Sequence, residues 1–150
     1  MIEAPEHRKL AVGANNSAWD LVEKAPAERT PEESESMIRL AYVAAHHWEH
    51  AEGRGPINEA RALSLISRAW HAYGNGPLAL SYGQRCVAML EELDATDFDL
   101  AYACDGLARA FALNADMESA QAWSDRAKSI PIENEENRVY TQREFAKPLI

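Results

Sequence analysis

Ala60-Arg61-Ala62-Leu63-Ser64-Leu65-Ile66-Ser67-Arg68-Ala69-Trp70 is answered 41 residues later by Ala101-Tyr102-Ala103-Cys104-Asp105-Gly106-Leu107-Ala108-Arg109-Ala110-Phe111. Ala62 falls on Ala103, Arg68 on Arg109 and Ala69 on Ala110, and Ile66 pairs with Leu107 and Trp70 with Phe111. The match continues downstream, with Ala79 on Ala120, Tyr82 on Trp123 and Arg85 on Arg126. In each copy a small residue (Ser67, Ala108) is followed by an aromatic (Trp70, Phe111), then by Ala79 or Ala120, then by Cys86 or Ala127. Two helices approach closely only where small side chains meet, and a large aromatic then fills the gap between turns. The spacing therefore predicts two consecutive helical hairpins built to one plan.

Working outward, capping residues mark seven predicted helices. The first spans roughly 6–25, with Gly13, Asn15 and Asn16 as a weak point where a break is expected if one occurs. Thr30-Pro31-Glu32-Glu33 combines an N-cap threonine, a proline in the first turn and a glutamate that closes a capping box. The helix it opens carries Met37, Ala41, Ala44, Trp48 and Ala51 on one face and stops at Gly53-Arg54-Gly55-Pro56. Three hairpins are expected over 6–52, 58–93 and 97–130, followed by a capping helix over 134–146. The class is all-α, and Ala at 27 of 150 positions agrees, since alanine favours helices and close helix packing.

The chain carries 24 acids against 15 bases, a formal charge of -9, which disfavours nucleic acid and anionic membrane as partners. A basic or neutral partner suits that balance. No run of about 18 apolar residues suggests a membrane span. The stretch Met1–Leu10 lacks the apolar run of a secretory signal, so a cytoplasmic location is expected. Cys86 and Cys104 belong to no C-x-x-C pair and lie among apolar neighbours, which suits core packing.

The small-aromatic-small spacing resembles the tetratricopeptide repeat, in a degenerate form, over Ala60 to about Pro131, and Ala44, Trp48 and Ala51 repeat it upstream. Gly83 and Ser124 stand where that family usually has an aromatic, and Tyr82 and Trp123 lie one residue earlier in both copies. The segments Asp97-Phe98-Asp99-Leu100-Ala101-Tyr102 and Ala60-Arg61 also resemble small bacterial repeat proteins. The resemblance implies a right-handed superhelix of hairpins, about three units plus a cap, whose first helices line a concave groove that holds protein segments. Carried onto this chain, the groove positions are Arg61, Ser64, Arg68 and His71 on the third helix, with Tyr102, Asp105, Arg109 and Ala112 on the fifth.

On that basis the expected function is a non-enzymatic adaptor that binds a protein or peptide. Arg61, Arg68 and Arg109 would favour an acidic segment or a free C-terminal carboxylate. The competing reading of the same arginines is pairing with Glu59, Asp99 or Asp105 on a solvated face. A small-ligand or metal-responsive sensor, or a homo-oligomer formed through exposed ends, are the alternatives. His46 and His50 share a helix face at i, i+4 spacing and are the metal candidate, but no second His-rich or Cys-rich segment supplies further ligands, so neither metal nor cofactor is expected. Pairing Ser67 or Cys86 with His71 as a nucleophile is set aside, because Ser67 and Cys86 occupy packing positions. Trp48, Trp70 and Trp123 likewise read as core, while Trp19 is expected either inside or at an interface.

Overall fold

The structure is a computed structural model describing residues 1–150. It consists of seven α-helices and one short 3-10 turn at Pro26–Glu28, without strands. The helices are α1 (Ala4–Glu23), α2 (Pro31–Glu49), α3 (Pro56–Tyr73), α4 (Gly76–Glu92), α5 (Asp97–Leu113), α6 (Met117–Ser129) and α7 (Glu135–Phe145). None of them is long and apolar enough to cross a membrane.

Their ends follow from local chemistry. Thr30 Oγ1 accepts from the Glu33 amide at 3.1 Å and the Glu33 carboxylate accepts from the Thr30 amide at 3.0 Å, closing the expected box. Asn75, Asp116 and Asn134 cap α4, α6 and α7 by accepting from the amides of Leu78, Ser119 and Asn137. Gly74 ends α3 at φ 96°, a left-handed conformation that a side chain would resist. Helix α3 starts at Pro56, two residues before the expected Asn58, because Asn58 Oδ1 accepts from the Gly55 amide at 3.0 Å and so lies inside the first turn. No break occurs near Gly13: α1 is continuous through it.

The pairs α1/α2, α3/α4 and α5/α6 each pack together, and α1 lies on α3, α3 on α5 and α5 on α7. The second helices also touch the next first helix, α2 on α3, α4 on α5 and α6 on α7. Helix α5 is therefore covered on most sides, and nine of its residues are buried, from Ala101 to Ala112. The interior forms three clusters, around Met37 and Leu65, around Leu90 and Leu107, and around Cys104 and Phe145. Alanines at the crossings, such as Ala41, Ala69, Ala79, Ala110 and Ala120, are fully buried.

The two repeated units share contacts as well as sequence. Arg85 lies over the Tyr82 ring at 4.9 Å and Arg126 over the Trp123 ring at 5.0 Å. Arg68 donates to the Tyr102 carbonyl at 2.8 Å and Arg109 to the Glu144 carbonyl at 2.9 Å, so each reaches from its own unit to the helix that follows. Arg29, in the α1–α2 connection, does the same by donating to the Ala72 carbonyl at 2.7 Å.

Candidate functional site

A cavity of about 330 Å³ opens on the face formed by the first helices. Asn15 and Trp19 of α1, Arg61 and Ser64 of α3, Phe98 and Tyr102 of α5, and Tyr140 of α7 contribute to its walls. The aromatics cluster: Phe98 stacks on Tyr102 with centroids 5.4 Å apart, Tyr140 lies 6.2 Å from each, and Trp19 lies 5.9 Å from Tyr102. Burial and the neighbouring Tyr102 phenol push the Tyr140 hydroxyl above its ordinary range. At the rim Arg61 makes a two-pronged bond to Asp99, both contacts at 3.0 Å, with its side chain 59% exposed.

Of the expected groove residues, Arg61, Ser64 and Tyr102 line this cavity, whereas Arg68, His71, Asp105 and Arg109 do not. Arg68, Asp105 and Arg109 form a largely buried polar network behind it. Asp105 Oδ2 accepts from Arg68 Nη2 at 3.1 Å and Arg109 Nε at 2.9 Å, and only 1% of its side chain is exposed. The Arg68 guanidinium lies 3.9 Å from the centre of the Tyr102 ring. Arg109 bonds the carbonyls of Glu144, Lys147 and Pro148 as well, tying down the end of α7. The free cationic strip expected of Arg61, Arg68 and Arg109 does not form, because all three guanidiniums are engaged with carboxylates, and Arg68 and Arg109 with backbone carbonyls too. Gly106 makes room for this, since a Cβ there would sit 3.0 Å from Arg68 Nε.

His71 is partly buried beside the network. Burial, then the charges of Arg68 and Arg109, lower its pKa from 6.5 to about 4, against a smaller opposing effect of Asp105. Between those values the unfolded chain takes up a proton that the folded chain refuses, so stability is complete above pH 6.5 and falls as the pH drops toward 4. We expect the loss between pH 7 and 4.5 to be smaller by about 2 kcal/mol in His71→Gln than in the parent chain. Urea titrations at the two pH values measure it, and equal losses in both proteins would refute the assignment.

The groups considered for nucleophilic chemistry are packed away. Ser67 Oγ donates to the Ala79 carbonyl at 2.8 Å, and the Cys86 thiol faces the Ala60 carbonyl at 3.2 Å. Burial pushes the Cys86 thiol up to about 12 and that of Cys104 to about 11. Trp19, Trp48 and Trp70 pack against the first core cluster and Trp123 against the other two, and Trp19 also lines the cavity.

Nothing local in the sequence marks Asn15, Trp19, Phe98 and Tyr140 as neighbours, because they come from three separate helices, α1, α5 and α7. The polar Glu133–Asn137 entry to α7 directed attention to a solvent-facing helix, but Tyr140, three residues on, lies on its inner side. The same holds for the partner of His46 and His50. His7 of α1 reaches them, with ring centroids 6.4 and 5.1 Å away, and its Nδ1 lies 2.8 Å from His47 Nδ1. Burial and the adjacent imidazoles hold His47 below its usual value. Comparison with protein-family models, characterised proteins and solved structures gives no match to this chain.

Proposed function

We propose that the protein is a non-enzymatic binding module, a tetratricopeptide-like superhelix whose inner face takes a segment of another protein. The supporting observation is the cavity between α1, α3, α5 and α7. It is apolar at its base, polar at its rim, and about 330 Å³ in volume, enough for one large side chain. The reading assigns the anchor to an apolar or aromatic side chain seated among Trp19, Phe98, Tyr102 and Tyr140. Asn15 and Ser64 then offer hydrogen bonds to the segment's backbone. Arg61 and Asp99 supply charge at the edge, and an acidic group on the partner would compete with Asp99 for Arg61. The high thiol pKa of Cys86, the cavity's only sulfhydryl, favours binding over catalysis.

Selection of random peptides displayed on phage tests this directly. The parent chain should enrich sequences sharing one large apolar residue, whereas Ser64→Trp, which fills the cavity while leaving the core untouched, should retain them at least about tenfold less. Enrichment without a shared apolar anchor, or equal retention by the filled variant, would exclude the assignment. Circular dichroism of the variant confirms that its helices are intact.

A further inference from the structure

Four of the five histidines gather where the start of α1 meets the end of α2. His46 and His47 lie in the last turn of α2 and His50 is its C-cap, while His7 closes the first turn of α1. The His46 and His50 rings are 5.1 Å apart, His7 is 5.1 Å from His50, and His7, His46 and His50 line one surface cavity. His46, Glu49 and His50 each present a ligand atom, all within 4.8 Å of one another, and all three residues are exposed. The His7–His47 contact is the one side-chain hydrogen bond made by any of the four rings.

We propose that His7, His46 and His50, with Glu49, bind a divalent transition metal of the zinc class, and that His47 orients His7. Imidazole nitrogens with one carboxylate suit zinc, nickel or copper, whereas calcium and magnesium require oxygen ligands. A tetrahedral ion with bonds near 2 Å places its ligand atoms about 3.3 Å apart. The 4.8 Å spread of the His46, Glu49 and His50 ligand atoms closes to that value by rotamer changes of these exposed side chains, and the half-buried His7, its ring centre 5.1 Å from that of His50, completes the set from α1. With the proton of the His7–His47 bond on His7 Nδ1, His7 Nε2 is left with the lone pair that binds metal, and His47 acts as the outer partner that fixes its ring. The carbonyl end of α2 adds negative potential at the site. Arg54, exposed on the same cavity lining, is the opposing charge and turns outward when the ion enters. Because the ligands come from α1 and α2, the ion cross-links the first hairpin, which is stabilised in proportion to occupancy.

The test is calorimetric titration of tag-free, chelator-treated protein with ZnCl2, with MgCl2 as the control and the unfolding midpoint followed in parallel. The expected result is one Zn2+ per chain, a dissociation constant of about 10 µM or tighter, a raised midpoint, and no response to Mg2+. His7→Ala and His46→Ala should each weaken binding by about tenfold or more while keeping the helical circular dichroism signal. Binding weaker than roughly 100 µM would overturn the site. So would unchanged affinity in folded His7→Ala, since the i, i+4 pair alone would then account for the binding. His46→Ala, altered at an exposed position, decides the matter if His7→Ala does not fold.

Discussion

Asp105→Ala should lose about 3–5 kcal/mol of stability, the largest effect of any single substitution considered for this chain. The carboxylate is almost wholly buried and stands between two guanidiniums whose side chains are each only 11% exposed. Removing it leaves Arg68 and Arg109 as neighbouring buried cations without a counter-charge, and the desolvation already incurred on folding is then uncompensated. Arg68 Nε already lacks a hydrogen-bond partner, and the substitution removes the carboxylate that the other guanidinium nitrogens use. For a domain of this size the loss corresponds to a fall in unfolding midpoint of about 10 °C. Urea unfolding followed by circular dichroism measures it. The double variant Arg68→Met/Asp105→Ala supplies the cause, because deleting one of the stranded charges should recover part of the loss. A loss under about 1 kcal/mol would mean that water reaches the guanidiniums and that the network is not the keystone of the α3/α5/α7 junction.

Gly83→Val is expected to cost about 3 kcal/mol by overpacking. A Cβ at Gly83 would lie 3.1 Å from Ser67 Oγ and 3.4 and 3.6 Å from Cδ1 and Cα of Leu107. The serine is pinned by its bond to Ala79, and the leucine Cα belongs to the backbone of a fully packed helix. Valine adds two methyl groups beyond that Cβ, which have nowhere to go without parting α4 from α5. Gly13→Ala is the matched control: no atom lies within 4 Å of the added methyl, and alanine should stabilise the exposed α1 interior by about 1 kcal/mol. Opposite signs for the two glycines in the same denaturation assay are the expected outcome, and a stabilised Gly83→Val would disprove the close contact.

That contact also explains why the aromatic of the repeat stands at Tyr82 and Trp123. Gly83 and Ser124 point into the crossings and are buried, so a ring fits only one residue earlier, where it half-covers the surface beneath Arg85 or Arg126. Such spacing was readable in the sequence, as was the capping box at Thr30, because these depend on neighbours within a few residues. The orientation of the arginines was not. Arg68 and Arg109 occupy equivalent positions, and whether they face solvent or each other's partner depends on Asp105 and on α7 closing over them, both products of tertiary packing. His7 was overlooked for a related reason: alone in the first turns of α1, it acquires meaning only when the hairpin brings it to α2, 39 residues from His46.

The arginine bonds that run from each unit to the helix beyond it bear on how the molecule opens. Arg29, Arg68 and Arg109 each place a hydrogen bond across a junction, onto the first helix of the next unit or onto α7. In a nearest-neighbour description of a linear array, such bonds enlarge the coupling energy between units relative to the intrinsic energy of each. Large coupling suppresses partly open species, so amide exchange should show the central helices releasing their protons together, at one common free energy, instead of peeling away hairpin by hairpin.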